Sequence, residues 1–410
     1  MVKLKAAALR ETPLPYSVWG EALIDPETRR QMDNAMLLPI SVAGALMPDA
    51  HIGYGLPIGG VLATVGAVIP YAVGVDIACR MRLSIFEAHP NLLGQKSGQF
   101  KKALLEQTRF GAGASWPRAQ QVEHPVLDSE DWSATRLLRA LHETAFEQLG
   151  TSGSGNHFVE WGRLTLEKPD EQLGLEAGQY LALLSHSGSR AVGFKIANHY
   201  SQLAMSLHPA LDKAVRHLAW LTLDSTEGQE YWLSMELAGR FAAANHEVIH
   251  QRVARAVGLK PIAVVENHHN FAWKERLPPL PGFTGRERDV IIHRKGATPA
   301  GKGVLGIIPG SMADPGYLVR GLGNPKSLNS AAHGAGRVLS RKAALSTVTK
   351  TERDRYLKER GVTLLGGGLD EAPQAYKPIE TIMAAQSDLV SIVGVFQPLL
   401  VRMAGERGDY

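Results

Sequence analysis

The sequence predicts a mixed α/β fold built as one large domain over residues 1–410. Three observations carry this expectation. Apolar runs of about four to six residues repeatedly enter polar or glycine-bearing turns, as in YLALLSHSG, PIAVVENHHN, DVIIHRKGA and VLGIIPGSM. One long stretch, GQEYWLSMELAGRFAAANHEVIHQRVARAVG, repeats its apolar residues at three- and four-residue spacing over about eight helical turns. No linker-like Pro/Ser/Gly tract, heptad run or internal repeat divides the chain.

Along the chain, VLATVGAVIPYAVG reads as a buried strand that delivers Asp76 and Cys79 at its end. Residues Asp131 to Leu149 and Pro378 to Val393 read as helices. The 42 glycines cluster in short loops: HIGYGLPIGG, GTSGSGNHF, SHSGSR and LGGGLDE. Strands that end in such loops can bring His, Asn, Ser and Arg side chains to one rim. Seven of the 15 histidines (His51, His157, His186, His268, His269, His293, His333) are expected at such positions.

Composition narrows the function classes. With 44% hydrophobic and 20% charged residues the chain can bury a full core. A net charge of +4, from 44 basic against 40 acidic residues, permits a polyanionic partner without requiring one. Cys79 is the only cysteine, which excludes an internal disulfide. The start, MVKLKAAALRETPLP, lacks the apolar run of a signal peptide, and LVSIVGVFQPLLV is too short to span a bilayer. A cytoplasmic protein with no membrane partner is expected.

Two patterns compete as metal sites. His246, Glu247 and His250 spell HEVIH on the long helix and fit the H-E-x-x-H of zinc hydrolases, but the following HQRVARAVG supplies no third ligand. The second set is dispersed: Asp76, Cys79, His157, His186 and His269. A thiolate, a carboxylate and imidazoles suit a borderline divalent ion such as Mn, Co or Zn. The plain alternative for Cys79 is a small buried hydrophobe, and for each histidine an ordinary loop residue. Beyond these, HGAGR (His333 to Arg337) and PGSM (Pro309 to Met312) place small residues where backbone N–H groups can meet an anion. A histidine beside such a cradle can act as acid/base or carry a phosphoryl group itself.

The stretches MPDAHIGYGLPIGG, VGVDIAC, GSGNHFVE, HSGSR, HHNF, RKGA, GIIPGSM, RGLGN, SAAHGAGRVLSR, DEAPQAYK and MAAQSDLV run in one order from Met47 to Val390. Together they resemble the RtcB family of GTP- and manganese-dependent RNA ligases. The resemblance implies a single mixed α/β domain around a deep metal-lined central pocket. It implies two Mn2+ ions bridged by Cys79, with Asp76 and His157 completing one site and His186 and His269 the other. It makes His333 the histidine that becomes guanylylated. Asn156, His157, Phe158, Val159 and Glu160, then His269 and Asn270, match GTP-binding segments. So do Pro309, Gly310, Ser311 and Met312, then His333, Gly334, Ala335 and Gly336, and Tyr376. Asp49, Ala50 and His51 match a DVH segment.

The implied partners are GTP, RNA with a 3′-phosphate or 2′,3′-cyclic phosphate, RNA with a 5′-hydroxyl, and an archease-like activator. A metal-dependent phosphoesterase on the same scaffold is the alternative. Two departures touch base recognition. Met403, with Arg402 beside it, stands where the family's guanine-contacting lysine is expected, and Gly316 replaces a frequent serine.

Overall fold

The computed structural model describes residues 8–279 and 287–405. Two large sheets organise them. The first runs in the order Ser17–Val18, Ser41–His51, Ile58–Thr64, Arg288–Lys295, Asn270–Leu277. The second runs Leu305–Ile308, Gly316–Gly321, Val390–Met403, Phe158–Leu166, Gly178–Ser187, Arg80–Phe86, Pro261–His268, with Thr363–Leu365 added alongside Val390–Met403. Its two outer strands approach each other. Asn267 Oδ1 accepts from the Ile307 N–H at 2.8 Å, and Asn267 Nδ2 donates to the Ile307 carbonyl at 3.2 Å. The second sheet therefore curls into a nearly closed barrel.

The residues explain why. Gly178–Ser187 carries the unbroken run YLALLS because both of its faces are covered. Ala182 and Leu184 join Met81, Leu83, Leu164, Ile307 and Phe396 inside the curl. Leu181 and Leu183 pack outward against Phe100, Leu104, Ile249 and Val253. Those partners belong to the helices Ser97–Gln107 and Thr226–Ala256. The latter helix, read correctly from its periodicity, starts at Ser225, whose hydroxyl accepts from the Gly228 N–H at 3.0 Å. No helix among the described residues is long and apolar enough to cross a membrane.

Three expectations about elements change. The helix expected from Asp131 begins at Arg136, because Thr135 caps it and residues 130–133 form a separate 3-10 turn. The helix expected over Pro378–Val393 stops at Ala384, and Val390–Met403 is a strand. Its β-branched and apolar residues sit between two partner strands, and that pairing overrides the local helical pattern. Cys79 stands just before a strand, not after one. Pro70 opens a short helix, Pro70–Val73, and Gly74 ends it before Arg80–Phe86 begins.

Two of the seven histidines are framework residues. His293 lies inside its strand; its Nε2 accepts from the Ile69 N–H at 2.9 Å and its Nδ1 donates to the Leu62 carbonyl at 3.2 Å. His268 ends its strand against the rings of Phe271 and Trp273. Burial lowers the His293 pKa to about 4. The unfolded chain takes up a proton near pH 6.5 that the folded chain refuses until about pH 4, so this residue's contribution is present above pH 6.5 and lost between those values. His293→Leu is expected to flatten the loss of stability over that window. It should also cost about 1–3 kcal/mol at neutral pH by stranding a buried N–H and carbonyl. Urea unfolding at pH 4.5 and 7.5 measures both.

Candidate active site

The two sheets meet at the segment Asn267–Asn270. His268 closes a strand of the curled sheet, Asn270 opens a strand of the other, and His269 is the single residue between them. Around this junction the dispersed histidines converge. Met81 lies opposite His186, and Leu83 opposite Leu184. Cys79 and His186 thus continue the row of inward-facing residues at one mouth of the curled sheet.

The donors are close. Cys79 Sγ is 3.1 Å from His186 Nε2 and 3.6 Å from His157 Nε2. His186 Nε2 lies 3.2 Å from His269 Nε2, and His157 Nε2 lies 3.1 Å from Asp76 Oδ2. Ligand atoms about 2.0–2.3 Å from one tetrahedral ion stand roughly 3.4 Å apart, so these spacings suit a shared cation. The second test is chemical. His186 Nδ1 donates to the Asn156 carbonyl at 3.0 Å, which turns the lone pair of Nε2 toward the cluster. Burial, with His157 beside it, lowers the His186 pKa to about 3, and burial holds His269 well below its ordinary value. Both are the neutral imidazoles a metal requires. Burial works against the Asp76 carboxylate, but the hydrogen bond and charge of His157 keep it below its usual range. Burial and then Asp76 push the Cys79 thiol well above its ordinary value, so a cation is what would make it a thiolate. The donor set fits a metal.

Local sequence sets this geometry. Ala78 takes φ +57°, uncommon for a residue with a Cβ, and its N–H donates to the Asn270 carbonyl at 2.7 Å. The turn points Asp76 and Cys79 to one side. Asn270 Nδ2 donates to the Asp76 carbonyl at 3.2 Å, and Asn270 Oδ1 accepts from the Gly296 N–H at 2.8 Å. Gly188 of SHSGSR is required by proximity, since a Cβ there would lie 2.0 Å from Asp76 Oδ1.

His333 approaches from a separate two-stranded sheet, in which Ser330–Ala332 pairs with Ala297–Pro299. It follows the strand Ser330–Ala332, with its ring centroid 4.8 Å from that of His269. Its Nδ1 stands 2.7 Å from Asp49 Oδ2, and its backbone N–H donates to the same oxygen at 3.2 Å. Asp49 is fully buried. A carboxylate can only accept, so the proton sits on Nδ1 and the lone pair on Nε2. Gly336, at φ +73°, lets the HGAGR loop press on the strand Ser41–His51; a Cβ would meet the Asp49 carbonyl at 2.1 Å. Lys377 Nζ donates to the Ala50 carbonyl at 2.8 Å and clamps the same stretch. His51 lies alongside, its Nδ1 3.1 Å from the Asp49 carbonyl.

The expected nucleotide segments separate by face. Phe158 and Glu160 lie opposite His186 and Leu184 and share the inward row, where burial pushes the Glu160 carboxyl well above its usual range. Val159 points outward into the helix-covered core. Ala335 packs into the core beside the first sheet, so it offers only its backbone. Met312 joins Met403, Ala313, Leu357, Val362 and Val401 in one apolar cluster. The carboxyl of Asp314, just past the turn, takes hydrogen bonds from Ser311 and Tyr356. Tyr376 donates to Glu371, which also pairs with Arg337 at 2.8 Å and Arg341 at 3.2 Å.

Arg402 lies opposite Val159, on the face away from Met403, with Nη1 3.2 Å from the Leu365 carbonyl. A Cβ at Gly316 would meet only ordinary contacts, the nearest at 3.5 Å, so a serine fits there. Asp49 was legible in the sequence only as part of a motif; its bond to His333 joins positions 284 apart.

The HEVIH pattern resolves differently. Ser185 Oγ lies 2.7 Å from His246 Nδ1 and 2.8 Å from His250 Nε2, and Ser84 Oγ lies 2.8 Å from His250 Nδ1. Both rings are buried beneath the curled sheet, while Glu247 is 43% exposed beside His124. The helix shares a face between its histidines, but it uses them to bind serines of two strands.

A family model described as tRNA-splicing ligase RtcB matches residues 31–404. The chain is 31% identical to the RNA-splicing ligase RtcB of Escherichia coli strain K12 over 92% of its own length and 95% of that protein's. It is 32% identical to the tRNA-splicing ligase RtcB of Nanoarchaeum equitans, covering 93% and 92% of the two chains. For the tRNA-splicing ligase RtcB of Thermococcus kodakarensis the identity is 28%, with 92% and 91% covered. The matched region includes every residue from Asp49 to Met403 discussed above, and on this ground the chain belongs to the RtcB family.

Proposed function

We propose that this chain acts as one ligase domain that joins RNA ends bearing a 3′-phosphate or 2′,3′-cyclic phosphate to RNA ends bearing a 5′-hydroxyl. The observation that carries the reading is His333, held through Nδ1 by buried Asp49 and facing the cluster of Cys79, His157, His186 and His269. Family membership supports it.

In this reading His333 Nε2 attacks the α-phosphorus of GTP, an N–P bond forms and pyrophosphate leaves. Asp49 keeps the Nδ1 proton in place and stabilises the charge that the ring acquires. A 2′,3′-cyclic phosphate is first opened by water, which breaks the bond to the 2′-oxygen and leaves a 3′-phosphate. The GMP then passes to an oxygen of the RNA 3′-phosphate, breaking the N–P bond. The 5′-hydroxyl of the second strand attacks that 3′-phosphate and expels GMP. Asp76, Cys79, His157, His186 and His269 would hold two Mn2+ ions, which supply charge neutralisation at the phosphates. The amides around Gly334 and Gly310, with Asn156, Phe158 and Tyr376, line the nucleotide's place. An archease-like activator is a further partner under this proposal.

The test is incubation of the full chain with labelled GTP and Mn2+, then electrophoresis under denaturing conditions, with a parallel joining assay on RNA carrying the two kinds of end. A covalent adduct and a joined product are expected. Metal uptake with hydrolysis of a phosphoester but no adduct would replace the ligase with a phosphoesterase.

Base recognition is expected to be weak on one edge. Met403 offers guanine O6 no donor, and loss of one charge-assisted hydrogen bond costs about 1.5–3 kcal/mol, roughly 10- to 150-fold in affinity. Adduct formation titrated with GTP and ATP side by side should therefore discriminate less than a lysine-bearing relative. Arg402→Ala should leave the ratio unchanged, because Arg402 serves the opposite face. Met403→Lys is not a clean restoration, since the side chain is buried among apolar neighbours and an ammonium there loses its hydration.

A further inference from the structure

One rim of the site carries an aromatic group that the chemistry above does not use. The loop 52–57 follows the strand that bears Asp49, and in it Tyr54 is 64% exposed. Its ring stands 6.3 Å from Tyr71 and 5.9 Å from His217, and the last two are 5.0 Å apart. The Tyr54 and His217 ring planes stand perpendicular, at 89°, so the ring is held by an aromatic neighbour. The brace is fixed in the backbone as well. Gly55 takes φ +72°, and a Cβ there would lie 2.8 Å from the His217 carbonyl. The loop is seated directly on its support.

Three further observations tie this platform to the reacting centre and to an anionic, base-bearing partner. The Tyr54 carbonyl accepts from Lys295 Nζ at 2.5 Å. Lys295 precedes Gly296, whose Cβ, if present, would lie 3.1 Å from His333 Cε1. The backbone of the loop that bears Tyr54 is therefore tied through Lys295 to the segment that packs on His333. Arg216, beside His217, is exposed at the same edge and adds positive charge. An exposed ring held by neighbouring rings, with an exposed arginine close by in the chain of its support, is an arrangement on which single-stranded bases stack while a phosphate meets the cation.

We propose that Tyr54, braced by Tyr71 and His217, is the stacking platform for a base of the single-stranded RNA segment next to the end that reacts at His333. This rests on the ligase reading. The test uses the full chain with Mn2+ and GTP. A short oligoribonucleotide ending in a 2′,3′-cyclic phosphate is paired with one bearing a 5′-hydroxyl, each also prepared with abasic positions next to the reacting end.

Tyr54→Ala is expected to raise the KM for RNA about 5- to 150-fold while the rate of adduct formation with GTP alone stays at the wild-type value. Tyr54→Phe should keep the wild-type KM, since the ring and not the hydroxyl is used. An abasic substitution in the stacked strand should weaken wild type and leave Tyr54→Ala unaffected, which also identifies the strand. Unchanged KM in Tyr54→Ala, a Phe variant as weak as Ala, or indifference of wild type to abasic positions in both strands would each overturn the proposal while joining persists. A wild-type protein that joins no such ends would instead remove the ligase reading, and this inference with it.

Discussion

His333→Ala is expected to abolish covalent uptake of GMP and RNA joining, while the protein keeps its metal. The imidazole is the group that carries the nucleotide in the reading above, so loss of joining should be on the order of 10³-fold or more. Metal content should not change, because His333 is not among the proposed ligands and packs its ring against that of His269. Asp49→Ala gives the graded companion result. It removes the acceptor at 2.7 Å from Nδ1 and frees the ring to adopt the wrong tautomer, which is expected to slow adduct formation by on the order of 10²–10⁴-fold. Adduct yield by denaturing gel and metal content by elemental analysis measure the pair. A His333→Ala protein that still forms the adduct would overturn the assignment of the nucleophile.

Cys79→Ala is expected to lose bound metal and, with it, guanylylation, while the far-ultraviolet circular dichroism stays that of the wild type. The thiol sits 4% exposed beside imidazole nitrogens of two other segments, with Sγ near both His157 and His186. Changes to residues that merely orient metal ligands cost 10–100-fold in affinity, so removal of a bridging ligand should exceed about 10²-fold. Cys79→Ser, which keeps size and a weak donor, should bind metal poorly but fold well. Unchanged metal stoichiometry in the alanine variant would rule out the bridge.

The sequence made some of this visible and hid the rest for definite reasons. The long helix was legible because Thr226–Ala256 buries a continuous stripe, so its periodicity reports its packing directly. The strand Val390–Met403 was not, because its first residues carry an apolar pattern compatible with either period, and partners at Gly316–Gly321 and Phe158–Leu166 decide between them. Loop position singled out His157, His269 and His333, but the same criterion drew in His268 and His293, which hold the framework. What distinguishes them is the face and neighbour of each ring, which only strand register fixes. The HEVIH pattern failed likewise: its helical spacing was right, and the serines of two strands occupy the face a metal would need. Asp49 could be placed in a motif, but its partner is remote in the chain and no local spacing points to it.

The junction between the sheets has a thermodynamic consequence. The donor pairs that meet there are 78, 107 and 83 positions apart in the chain. Ions held at that point would close three long loops at once, and closing a loop restricts the unfolded chain more than the folded one. Occupancy is then linked to folding by mass action: metal at 100 times its dissociation constant adds about 2.7 kcal/mol. The midpoint of thermal unfolding should rise with free metal concentration and fall on chelation. Ions held there would serve as a concentration-dependent fastener of the segments that meet at the junction, in addition to the role proposed for them at the phosphates.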